Sequence, residues 1–85
     1  MLVRINNFRI NYDSDNDILY LSFAEPKPSY GEEKYEGVIF RYDFITEELS
    51  GITIFDFKKK MQDNYFSQLD IPQNIDFKSI EQIIN

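Results

Sequence analysis

Residues 12–23 read YDSDNDILYLSF, and the fold can be worked out from this stretch because a polar turn runs directly into an alternating apolar segment. Leu19, Leu21 and Phe23 occupy every second position after the turn, which is the period of a strand with one face on a core. The residues before the turn alternate in the same way. Two such segments joined by a short Asp/Asn-rich piece predict an antiparallel hairpin over residues 8–24.

The same plan returns later in the chain, where residues 41–55 read RYDFITEELSGITIF. A tyrosine-aspartate pair again leads into a polar turn and then into an alternating strand. This echo predicts a second hairpin over residues 38–57, and the two hairpins together predict a four-stranded, mainly antiparallel sheet over about residues 8–57. The polar connection between the hairpins contains prolines, which central strands exclude, and it has room for an edge strand near residues 30–34.

The remaining chain divides into a variable tail and a helix. Residues 58–72 fit either a short helix or an irregular crossing, with Met61, Tyr65 and Phe66 packing inward. The last stretch, NIDFKSIEQIIN, predicts a C-terminal helix over about residues 76–84. Asp76 can act as its N-cap, and its apolar side chains fall on one stripe: Phe77, Ile80, Ile83 and Ile84. The expected fold class is therefore α+β, with residues 1–85 forming a single domain.

Composition excludes several kinds of chemistry. The 85 residues contain no cysteine and no histidine, so disulfides, thiolate metal sites and imidazole-based catalysis are ruled out. A net charge of −6 argues against nucleic acid, whose affinity for proteins depends on neutralising phosphates. No apolar run is long enough for a signal segment or a membrane span. We therefore expect a cytoplasmic protein with no cofactor.

The aspartate triplet in the first turn raises the question of a metal site. Asp13, Asp15 and Asp17 match the first three ligand positions of a calcium-binding EF-hand loop. Ile18 stands where that loop needs glycine, and Ala24 stands where it needs a bidentate glutamate. Aspartate and asparagine are also favoured turn residues because their side chains bind nearby backbone N–H groups. The triplet is therefore interpreted as a turn, and its members are kept only as weak cation ligands.

Carboxylates are also the remaining candidates for catalysis. The candidates all fall at predicted turns, where water keeps the pKa of a carboxylate at its ordinary value. They are Asp13, Asp17, Asp43, Glu47 and Glu48. No catalytic residue is assigned, and the sequence favours a non-catalytic protein. The alternative that stays open is a carboxylate-based, divalent-cation-binding domain or metal-dependent enzyme.

Surplus apolar surface points to a partner. One face of the predicted sheet is fully apolar and needs the helix as its cover. The opposite face is mixed, and its large apolar residues are the candidates for an interaction surface: Tyr20, Ile39, Phe55 and Phe57. Exposed apolar surface of this kind marks interaction sites, so we expect a homodimer or a small protein partner. The alternative is that residues 58–72 fold back and complete the cover.

The chain resembles a family of small bacterial proteins catalogued as domain of unknown function 2283. The resemblance covers about residues 8–57 and rests on the order of the following positions: Tyr12, Asp13, Asp17, Leu19, Tyr20, Gly37, Tyr42, Asp43, Gly51, Ile52 and Ile54. Members of this family usually carry a glycine in the turn after the second tyrosine-aspartate pair, where this chain has Glu47, so the type of that turn is left open. The family has no assigned biochemical activity that the resemblance could carry over to this chain. The resemblance implies an antitoxin-like or accessory role, which would suit an acidic protein beside a basic partner.

Overall fold

The computed structural model describes residues 2–5, 8–23, 25, 27–72 and 75–84. The six strands are β1 (Leu2–Ile5), β2 (Phe8–Asp13), β3 (Ile18–Ser22), β4 (Ser29–Tyr35), β5 (Val38–Asp43) and β6 (Leu49–Phe55). Two α-helices follow, α1 (Phe57–Gln62) and α2 (Phe77–Ile84), with a 3₁₀ turn at Tyr65–Gln68 between them. Within the described ranges, no helix is long and apolar enough to cross a membrane.

All six strands form one antiparallel sheet in the order β1-β2-β3-β6-β5-β4. The α+β class, the two hairpins and the C-terminal helix are confirmed. The prediction of four strands is wrong, because β1 is added at one edge and β4 at the other. The position of β4 agrees with the edge strand for which residues 30–34 had room. Gly31–Lys34 in β4 are exposed, so this edge strand has polar residues on both faces and lacks the alternation that reveals a half-buried strand.

One face of the sheet is the core. Strand register aligns Ile10 with Leu21, Ile52 and Phe40 in one row, and aligns Tyr12 with Leu19, Ile54 and Val38 in the next, and all eight are buried. A helical layer covers them with the buried side chains of Phe57, Phe77, Ile80 and Ile84. Within that layer the rings of Phe66 and Phe77 stack with their centroids 4.3 Å apart.

Two predicted positions differ from the structure. Phe57 was expected on the mixed face but is fully buried in the core. The reason is that β6 ends at Phe55, and Asp56 adopts a left-handed conformation (φ 54°) that turns the chain back over the apolar face. Ile83 was expected in the buried stripe of the last helix and is 39% exposed. The predicted N-cap is confirmed, since the Asp76 carboxylate accepts hydrogen bonds from Ser79.

The tail over residues 58–72 lies on the same face as α2. Met61, Tyr65 and Phe66 pack against the core, as predicted. The hydroxyl of Tyr35 in β4 donates to the carbonyl oxygen of Asp70 at 3.2 Å and fastens the tail to the sheet. The alternative in which this tail covers the mixed face is therefore wrong, because its apolar side chains are used on the opposite side.

Candidate interaction surface

The first turn is held by the carboxylate of Asp13. This group accepts hydrogen bonds from the backbone N–H of Asp15 (3.1 Å), the backbone N–H of Asn16 (3.3 Å) and the side-chain amide of Asn16 (2.9 Å). These donors hold the pKa of Asp13 below its ordinary value, and the hydrogen bond from the Asn16 side chain has the largest effect. The carboxylate therefore closes an Asx turn, which is the role predicted for it.

Asp17 has a role that the sequence did not reveal. It adopts a left-handed conformation (φ 55°), and its carboxylate accepts from the backbone N–H of Lys58 at 3.0 Å and from the hydroxyl of Tyr12 at 2.6 Å. Its backbone carbonyl oxygen also accepts from Phe57 N–H at 3.1 Å. The residue before α1, Asp56, makes no side-chain cap, so Asp17 supplies the missing cap from a distant turn.

This contact changes the environment of Tyr12. Burial is the largest cause that raises the pKa of the Tyr12 hydroxyl to about 12, and the hydrogen bond to Asp17 is the second. The phenol is therefore held in its neutral, donating form. Nothing local in the sequence signals the contact, because Asp17 and Lys58 lie 41 positions apart.

The aspartate triplet does not converge on one point. Asp13 and Asp17 direct their carboxylates to different donors, and the side chain of Asp15 is exposed. In the part of the chain that the structure describes, no group of three carboxylates lies close enough to hold a metal ion. Cation binding by the turn remains an untested prediction that this geometry does not favour.

The second turn repeats the first. Asp43 accepts from the backbone N–H of Ile45 at 2.7 Å and of Thr46 at 3.0 Å, and these bonds hold the pKa of Asp43 below its ordinary value. Glu47 then adopts a left-handed conformation with φ 61°. The turn type that was left open is therefore the one that a glycine would also adopt. Glu47 and Glu48 are exposed, which agrees with their interpretation as solvated turn residues.

The sheet surface opposite the core, which we call the open face, is organised in three rows by the strand register. The first row runs Arg9, Ser22, Gly51, Arg41 and Gly31 from β2 to β4. The middle row runs Asn11, Tyr20, Thr53, Ile39 and Glu33. The third row runs Asp13, Ile18 and Phe55, with Gly37 beside Phe55 through a 2.8 Å backbone hydrogen bond.

Three of the four predicted surface residues meet on this face. Tyr20 is 40% exposed and Phe55 is 39% exposed, while Ile39 is half-buried. Thr53 lies between them and is itself only 7% exposed. The strand register therefore groups three large apolar side chains around Thr53 on the open face. Phe57, the fourth candidate, belongs to the core on the other side of the sheet.

The first row forms a cleft of about 260 Å³ on the open face, which is lined by Leu21, Ser22, Glu25, Lys27, Ser29, Arg41, Ser50 and Gly51. The guanidinium of Arg41 donates from Nε and Nη2 to the Ser29 hydroxyl at 3.2 and 3.1 Å, which fixes it beside the cleft. A side chain cannot replace the hydrogen of Gly51, because a Cβ there would collide with the carbonyl oxygen of Leu21. The floor of the cleft is therefore kept free of side chains by the close approach of β3 and β6.

Residues 9–58 match the family described as "Protein of unknown function (DUF2283)". The chain belongs to this family. The resemblance predicted from the tyrosine-aspartate turns is thus confirmed, and the matched DUF2283 segment covers β2 to β6 with both turns. It reaches just into α1 and leaves α2 outside. No curated protein and no solved structure matches the chain.

Proposed function

We propose that this chain is a small, cytoplasmic, non-catalytic interaction module that binds a second copy of itself through the open face. The observation that carries the proposal is the position of Tyr20, Ile39 and Phe55 together on a sheet face that the α1 and α2 layer leaves uncovered. A contiguous apolar patch on a small domain usually serves an interface. The proposed function is binding and not catalysis, because the carboxylates at both turns accept hydrogen bonds that hold the fold together.

The open face is large enough for a contact of modest size. The five strands that carry its rows give a width of roughly 20–25 Å at about 4.8 Å spacing, and three rows about 7 Å apart give roughly 20 Å with their side chains. The footprint is then on the order of 450 Å² in projection, which is over half of the roughly 800 Å² of accessible surface that each partner contributes to a standard interface.

The composition of the face also suits an interface. Its centre carries aromatic and aliphatic side chains, and its margins carry charges, with Arg9 and Arg41 at one end and Asp13 and Glu33 elsewhere on the rim. An apolar centre rich in tyrosine and phenylalanine with a polar rim is the usual anatomy of protein–protein contacts.

Sedimentation equilibrium of the purified chain tests the proposal. We expect a dimer for the natural sequence and a monomer for Phe55→Lys, which places a charge among the large apolar side chains of the open face. Ile45→Lys is the matched control, because Ile45 is 91% exposed but lies in the second turn, away from the open face. A natural chain that stays monomeric up to its solubility limit, or equal effects of the two lysines, would overturn the proposal. Circular dichroism verifies that both variants are folded.

A further inference from the structure

On β3 and β6 the open face carries small side chains in its first row and large side chains in its third row. In the first row β3 and β6 carry the small residues Ser22 and Gly51, whereas in the third row the same strands carry the large residues Ile18 and Phe55. We propose that two copies pack about a two-fold axis that crosses the strands along the middle row, so that Phe55 of each copy enters the cleft above Gly51 of the other. This inference rests on the proposed self-association and specifies its geometry.

Shape supports this axis. A two-fold rotation about the middle row reverses the order of the rows, so the first row of one copy lies on the third row of its partner. Gly51 and Phe55 belong to the same strand, and so do Ser22 and Ile18, so each hollow meets a large side chain. The cleft of about 260 Å³ then receives a phenyl ring, the kind of anchor that dominates interface energies.

Charge supports the same axis. The rotation places Arg9, whose guanidinium also pairs with Glu25 at 3.3 Å, opposite the partner's Asp13 at the β2 side of the contact. On the β5 side it places Arg41 opposite the partner's Gly37, beside a second hollow of about 450 Å³. The charged lining of that hollow is mixed: Glu33, Glu36, Asp56 and Asp63 with Lys59 and Lys60. Opposite charges therefore meet on the β2 side, and a two-fold contact makes that pairing twice.

The competing two-fold axis runs along the strands between β3 and β6, and it matches neither the shapes nor the charges of the two faces. It leaves the rows in register, so Phe55 would meet the partner's Ile18 and the Gly51 hollow would meet the partner's Ser22. Arg9 would face the partner's Arg41, and like charges in contact oppose association. The axis across the strands is therefore the one that the surface itself favours.

Chemical cross-linking distinguishes the two axes. The chain contains no cysteine, so single-cysteine variants report contacts without background. Packed sheets lie about 10 Å apart, which is too far for most direct disulfides, so a short bifunctional maleimide is the probe. The first mixture combines Ser22→Cys with Ile18→Cys, which face each other across the axis along the middle row. The second combines Arg9→Cys with Arg41→Cys, which face each other only across the axis along the strands, and both mixtures leave Phe55 intact. One variant of each mixture carries an affinity tag, which gives heterodimers their own mass.

We expect several-fold more cross-linked heterodimer from the Ser22→Cys and Ile18→Cys mixture than from the second mixture. The reverse ratio would overturn the axis across the strands while leaving self-association intact. Sedimentation of the same variants shows whether they dimerise before cross-linking. If neither they nor the natural chain dimerise, the failure lies with the proposed function and the inference falls with it.

Discussion

The two hairpin turns share an aspartate start and a left-handed last residue, and they differ in what that last residue contacts. Each begins with an aspartate whose carboxylate accepts two backbone N–H groups, Asp13 in one and Asp43 in the other, and each ends with a left-handed residue four positions later. At that last position Asp17 caps α1 and binds Tyr12, whereas Glu47 is exposed. Both turns therefore use the same local hydrogen bonds to close, and only the first turn also holds a distant helix in place.

Alanine at the two left-handed positions, Asp17 and Glu47, should give the largest difference in stability between the two turns. We expect Asp17→Ala to lower the free energy of unfolding by about 3 kcal/mol, because a hydrogen-bonded charge is lost and the Tyr12 hydroxyl and Lys58 N–H lose their acceptor. Glu47→Ala removes no contact of this kind and should cost less than about 1 kcal/mol. Urea unfolding of both variants measures the difference, and equal losses would show that Asp17 does not anchor α1.

Glycine at the same two positions should give effects of opposite sign. A left-handed backbone costs a residue with a side chain about 1–2 kcal/mol, and glycine avoids that cost but loses roughly 0.5–1 kcal/mol through its greater freedom when unfolded. Glu47→Gly should therefore raise the free energy of unfolding by about 0.5 kcal/mol. Asp17→Gly gains the same relief but loses the cap, so it should be destabilising. Urea midpoints decide, and a stabilising Asp17→Gly would contradict the assigned role.

Acid should weaken both turns in the same direction, which is the smallest of the expected effects. The folded pKa values of Asp13 and Asp43 are lowered, so their contribution to stability is present above the unfolded value of about 3.9 and is lost as pH falls through the folded pKa. We expect Asp13→Asn and Asp43→Asn each to flatten the fall in urea midpoint below about pH 4. A slope unchanged in both variants would show that the turns do not drive the acid response.

The parts of the fold that local pattern controls could be predicted from the sequence. Period-two alternation predicted β2, β3, β5 and β6, and the tyrosine-aspartate echo predicted both Asx turns. Tyr20, Ile39 and Phe55 were correctly grouped because strand alternation fixes which face a side chain takes. Neither the axis of any contact nor its partner can be read from such a pattern.

What the sequence did not reveal depends on tertiary contacts. The strand β1 has four residues, too few to show a period, and its place beside β2 is set by pairing. The burial of Phe57 follows from a single left-handed residue, Asp56, whose conformation carries no clear signature in the sequence. The cap that Asp17 supplies joins the first turn to Lys58, which lies 41 positions later in the chain, and only the folded chain brings them together.

The strand order has a consequence for the folding pathway. Each hairpin closes through a short loop, but the pairing of β3 with β6 joins residues far apart in the chain, such as Ile18 and Phe55. Non-local pairing is slow because chain entropy is lost before contacts form. We expect the hairpins to form early and the β3–β6 seam to set the folding rate. Before the seam closes, both of these strands expose an unpaired edge, so slow closure is the stage at which the chain is most open to aggregation.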